Sequence, residues 1–149
     1  MISITFGTES GNSEMAADDI AAYIEKSGSP AQIIPMEEFN VEEMQGVKRL
    51  IVITSTYGEG ELPETTAPFY EALITQSPDL SGVEFAAFGL GDSTYETYGN
   101  GIDVVSAKLK ELGATQVGET GRHDAAKGEA LADVAVNWIT ETLPLFELH

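Results

Sequence analysis

The chain opens with Ile2-Ser3-Ile4-Thr5-Phe6, followed by Gly7-Thr8-Glu9-Ser10-Gly11-Asn12-Ser13. The first five residues read as a strand. The next seven are small or polar, and a helical pattern begins at Asn12. A strand, a short polar loop and a helix are the first half of a crossover unit in a parallel sheet.

The same alternation continues outward from this passage. Residues 12–27 read as a helix in which Met15, Ile20 and Ile24, with Ala16 and Tyr23, fit one face, and Gly28 stops it. Strands are expected at 32–34, 50–54, 83–88 and 116–117, and a helical turn at 40–44. Helices are expected at 66–74, 101–112 and 128–143. Pro68 falls where a first turn tolerates it, and Gly113 ends the third helix. Residues 50–54 are apolar in succession up to Thr54, as in a strand covered on both faces. The pattern predicts a three-layer α/β/α sandwich on a five-stranded parallel sheet, with residues 1–149 forming one domain. Ligands of such folds sit beyond the carboxyl ends of the strands, where the winding reverses. The loops after Phe6, Thr54 and Phe88 are therefore the candidate site.

Charge narrows the function. The 149 residues carry 25 Asp and Glu against 7 Lys and Arg, a net charge of −18. Nucleic acid and anionic membranes would repel such a chain. With no cysteine, disulfides, thiolate metal sites, cysteine nucleophiles and iron–sulfur clusters are excluded. No apolar run approaches the roughly 20 residues that span a bilayer, and no basic segment precedes the first strand. A cytoplasmic location is expected. The charge is also uneven: residues 1–25 and 50–107 contain no Lys or Arg.

In the first loop, backbone amides, the hydroxyls of Thr8, Ser10 and Ser13, and a helix N-terminus converge as they do around a phosphate. The loop is neither a dinucleotide fingerprint nor a Walker A sequence. Taken alone it reads equally well as a capped helix start, with Ser10 or Asn12 as the cap. The second loop is Ser55-Thr56-Tyr57-Gly58-Glu59-Gly60-Glu61-Leu62-Pro63, and the third is Gly89-Leu90-Gly91-Asp92-Ser93-Thr94-Tyr95-Glu96-Thr97-Tyr98-Gly99. Each sets a tyrosine in a glycine-rich acidic turn. Two such rings can sandwich a flat heteroaromatic group, and stacking adds about 0.5–1.5 kcal/mol beyond area burial. Together the loops suit a planar phosphorylated ligand. His123 reads as a surface histidine and Trp138 as core or core edge.

The three loops in this order resemble those of the flavodoxin family. Thr8 with Ser10-Gly11-Asn12-Ser13 is similar to its T-x-[ST]-G-N-[ST] phosphate loop, and the other two are similar to its second and third FMN loops. The resemblance covers essentially the whole chain. It is nearest to short-chain flavodoxins, the freestanding MioC type, and to the FMN domains of diflavin reductases. It implies strand order 2-1-3-4-5 with FMN as cofactor. Thr8, Glu9, Ser10, Gly11, Asn12 and Ser13 would form the phosphate loop. Tyr57 and Tyr95 would flank the ring, Gly58 would lie near flavin N5, Asp92 and the backbone of the third loop would lie around the pyrimidine end, and Ser55, Thr56, Glu59, Gly60, Leu90 and Gly91 would complete the cofactor-binding set. Tyr98 belongs to the same third loop, although by itself it reads as packing. Two features depart from the family pattern: many flavodoxins have Trp at the Tyr57 position, and the second loop is longer here.

The family resemblance implies an electron carrier, not an enzyme. It would be a monomer that docks an acidic rim onto basic-surfaced partners, a reductase and an acceptor enzyme. The competing reading is an NAD(P)H-dependent quinone or FMN reductase of the same architecture. A receiver-like signalling module is disfavoured, because Thr54-Ser55-Thr56 stands where a phosphoacceptor acid would be needed. No His, Asp and Glu set has metal-ligand spacing.

Overall fold

β-Branched and aromatic residues alternate between two apolar faces in the central strands, so the sheet must be covered on both sides. A computed structural model describes residues 2–7, 11–55, 62, 66–91 and 100–146. The elements run β1 (Ile2–Gly7), α1 (Asn12–Lys26), β2 (Ala31–Pro35), β3 (Arg49–Ser55), α2 (Ala67–Gln76), β4 (Glu84–Gly91), α3 (Asn100–Glu111), β5 (Thr115–Gln116), β6 (Gly121–Asp124) and α4 (Leu131–Thr142). All strand pairs are parallel, in the order β2-β1-β3-β4-β5, and β6 also pairs with β4.

One face of the sheet presents Ile2, Ile4, Phe6, Ile51, Ile53, Ala86 and Phe88 to α1 and α4. The other presents Leu50, Val52, Phe85 and Ala87 to α2 and α3. This is the expected three-layer arrangement in the expected order. The difference lies at the edge: the fifth position is built from two short strands rather than one. Thr115 and Gln116 pair with Glu84 and Phe85, and Gly121 to Asp124 pair with Phe88 to Gly91. Residues 121–124 lie outside the strands expected from sequence. Only Gly121 and Asp124 of the four are buried, so no apolar alternation marks them as a strand.

Two further expectations change. Met15 is not on the buried face of α1; it is 58% exposed. The buried positions are Ser13, Ala16, Ala17, Ile20, Ala21 and Ile24. At 100° per residue Met15 lies on the opposite side from that stripe. Helix α4 begins at Leu131 rather than Gly128, because Gly128 adopts φ +67° after a short 3₁₀ turn at Ala125–Lys127. The turn expected at 40–44 is a 3₁₀ segment at Val41–Gly46, and the Asn40 side chain accepts a hydrogen bond from the Glu42 N–H. Trp138 sits at the core edge: its ring packs 5.3 Å from that of Phe88, and its Nε1–H donates to the Glu119 carbonyl.

Gly121 allows this edge to close. A Cβ there would lie 2.5 Å from both Phe88 Cδ2 and Trp138 Cδ1. Gly121→Ala is expected to lower stability by about 1–3 kcal/mol through overpacking, read as a lower urea midpoint with an unchanged m-value.

Candidate functional site

The parallel register brings three strand ends together. Gly7 pairs with Thr54, Thr54 with Gly89, and Ser55 with Leu90. The loops that follow β1, β3 and β4 therefore leave from neighbouring points. β1 lies between β2 and β3, so the winding reverses there.

At the first of these points α1 starts on Gly11, which adopts φ +88° and whose carbonyl accepts from the Met15 N–H. Asn12 is exposed in the first turn. Ser13 is fully buried, and its Oγ has no hydrogen-bond partner among the described residues. A buried hydroxyl in that condition costs about 1–3 kcal/mol. It stands where the first-turn N–H groups of α1 are also unpaired by the helix itself.

Close backbone packing forms the floor of the site. A Cβ on Gly7 would lie 1.8 Å from Thr66 Oγ1 and 2.9 Å from Met36 Sδ. A Cβ on Gly89 would lie 2.4 Å from Ile102 Cγ2. Thr54 and Thr66 are both fully buried, with their hydroxyl oxygens 2.8 Å apart. Gly7, Thr54 and Thr66 are not among the cofactor-binding residues expected from sequence. The one available signal was a hydroxyl, Thr54, ending the apolar run 50–53.

Of the predicted site residues, Gly11, Asn12, Ser13, Ser55, Leu90 and Gly91 all lie at this end of the sheet. The Leu90 side chain is 6% exposed and belongs to the core on the α1 and α4 side, so its backbone is the part available to a ligand. Thr8, Glu9, Ser10, Thr56, Tyr57, Gly58, Glu59, Gly60, Asp92, Tyr95 and Tyr98 lie outside the described residues. His123 is half-buried beside this end, with Nε2 2.7 Å from the Glu129 carbonyl.

Charge divides along the strand axis. Lys26 closes α1, Lys48 and Arg49 lead into β3, and Lys108 and Lys110 lie in the last turn of α3. All five belong to the amino end of the sheet. A cavity of about 460 Å³ lined by Lys48, Arg49, Ser81, Gly82, Val83, Glu84 and Thr115 opens at that same end, away from the loops. Asp79, whose carboxyl is held below its ordinary value by the Ser81 N–H, also precedes β4 there. Hydrogen bonding to Glu111 raises Lys108. Arg122, on β6, is held 2.6 Å from Asp103 in the first turn of α3.

The flavodoxin family model matches residues 4–138. The chain belongs to the flavodoxin family. It is 34% identical to Protein MioC of Escherichia coli O157:H7 over 98% of both chains. It is also 32% identical to NADPH-dependent diflavin oxidoreductase 1 of Cryptococcus neoformans, over 96% of this chain and 24% of that one. The crystal structure of oxidised flavodoxin 1 from Bacillus cereus superposes with a TM-score of 0.86 at 28% identity, covering 98% of this chain and 99% of that one. As a flavodoxin, this chain is an FMN-binding electron-transfer protein. Among the described residues of this flavodoxin, no helix is long and apolar enough to cross a membrane.

The two glycines of the first loop should respond differently to a methyl group. Among the described residues nothing lies within 4 Å of a Cβ on Gly11, but its φ is left-handed, so Gly11→Ala is expected to cost about 1–2 kcal/mol of backbone strain. Gly7→Ala must displace Thr66 and should cost more, which urea unfolding of the two apoproteins will show.

Proposed function

We propose that this flavodoxin, working as a cytoplasmic monomer formed by the single unit 1–149, holds FMN across the three loops at the carboxyl ends of β1, β3 and β4. Thr8, Glu9, Ser10, Gly11, Asn12 and Ser13 surround the phosphate. Tyr57 and Tyr95 flank the ring. Ser55, Thr56, Gly58, Glu59 and Gly60 line one side, and Leu90, Gly91, Asp92 and Tyr98 line the other. The observation that carries this reading is Ser13: a fully buried hydroxyl, unpartnered among the described residues, at the start of a helix. A phosphate oxygen would satisfy it, and the helix dipole favours the negative charge.

When bound, FMN supplies the electron chemistry; the chain positions it and sets its field. The five cations at the far end leave Arg122 and Lys127 as the remaining basic residues. Arg122 is already paired with Asp103. A strand of six residues is roughly 20 Å long, about two and a half times the screening length at physiological salt. The far cations therefore do little to offset carboxylates near the loops. This polarity supports a carrier that presents an acidic rim to basic-surfaced partners, a reductase on one side and an acceptor enzyme on the other. NADPH oxidation by the purified protein alone would overturn the carrier reading in favour of a reductase.

Two measurements test the placement. Ser13→Ala should weaken FMN binding by on the order of tenfold, followed by quenching of flavin fluorescence, while leaving apoprotein stability unchanged or raised. Adding negative charge to a ring near Glu59, Glu61 and Asp92 is unfavourable. The second reduction potential of the bound flavin should therefore lie below that of free FMN in a redox titration.

A further inference from the structure

The floor of the site contains a hydroxyl relay with a definite direction. Thr54 Oγ1 donates to the Ser55 carbonyl at 3.1 Å. A threonine hydroxyl has one proton. With that proton given to Ser55, the proton in the 2.8 Å contact between Thr54 and Thr66 comes from Thr66. Both side chains are fully buried, so neither can exchange this partner for bulk water, and losing it costs the desolvation of the group left behind. The Ser55 carbonyl belongs to the first peptide of the second loop. Thr66 is the N-cap of α2 and marks where that loop rejoins the fold. The relay thus ties the end of β3 to the start of α2, the two points between which the second loop runs.

Thr66 also touches the first loop. Its Oγ1 occupies the place a Cβ on Gly7 would need, 1.8 Å from that position. Gly7 is the last residue of β1 before the phosphate loop. One side chain therefore sits against the root of the first loop and bonds to the root of the second.

We infer that Thr66 and Thr54 are positioning residues for the cofactor: Thr66 seats against Gly7 and donates to Thr54, and Thr54 fixes the Ser55 carbonyl. The phosphate and ring halves of the site are thereby held in one register. This inference rests on FMN lying over the three loops. It gives the two threonines unequal weight. Thr66→Val leaves Thr54 still bonded to Ser55. Thr54→Val deprives the Ser55 carbonyl of its donor and leaves the Thr66 hydroxyl buried without its acceptor.

The test uses the full chain with FMN as the probe. FMN affinity is read from fluorescence quenching, the midpoint potential from a redox titration, and apoprotein stability from urea unfolding. Thr66→Val is expected to raise the FMN Kd by about 3- to 10-fold and to shift the potential. Thr54→Val should raise the Kd further. Thr66→Ser, which keeps the hydroxyl, should restore wild-type affinity and potential. Folded valine variants with wild-type affinity and potential would overturn the relay. So would a Thr66→Ser protein as impaired as Thr66→Val, because the methyl group and not the hydroxyl would then matter. If the valine variants do not fold, the wild-type apoprotein decides by NMR. A slowly exchanging Thr66 hydroxyl proton with a cross-peak to Thr54 supports the relay, and fast exchange overturns it. Failure of the FMN placement itself appears separately, as absence of quenching in the wild-type protein.

Discussion

Burial of both faces of the central strands is the constraint on which the rest of this molecule depends. Ile4, Ile51, Ile53, Val52, Phe85 and Phe88 are all fully buried, and they are divided between two helical layers. With both faces covered, the sheet offers its strand ends to anything polar. A parallel arrangement then gathers the ends of β1, β3 and β4 on one side. Those ends carry glycines and hydroxyls because helices approach there at distances a side chain would block, as Gly7 with Thr66 and Gly89 with Ile102 show.

The net charge of −18 gains a direction from the fold. In an α/β crossover the helices run back against the strands, so residues closing α1 and α3 and residues opening β3 meet at one end. Five of the seven basic residues occupy those positions. The opposite end has Arg122, already paired with Asp103, and Lys127, so helix N-termini, backbone amides and hydroxyls are its main means of holding an anion. Neutral dipoles can do this: hydrogen bonds to a charged group contribute about 1.5–3 kcal/mol each, and they add no cation to a field that tunes electron transfer.

Periodicity made most elements legible. The alternation in β1 and the unbroken apolar run in β3 define buried strands, and Gly28 and Gly113 mark helix ends. Met15 differs from its expected face because the buried stripe of α1 is made mostly of small residues, Ser13, Ala16, Ala17 and Ala21, so size is no guide to which side faces the sheet. Gly121 to Asp124 escaped detection because a short edge strand buried at only its two ends has no apolar pattern. The loop motifs pointed to the site through residue type and order, while Thr66 stayed hidden. Its partner Thr54 is 12 residues away, and its seat on Gly7 is 59 positions away.

Sequence by itself determined the layered parallel fold, the family, the cofactor class and the three loops, because each is written in local periodicity or in short motifs. Tertiary structure decided which hydroxyls lie beneath those loops, how the sheet edge is divided between β5 and β6, and where the charge is concentrated. These depend on the register between strands and on the angle at which a helix meets a strand end, and both are set by packing among residues far apart in the chain.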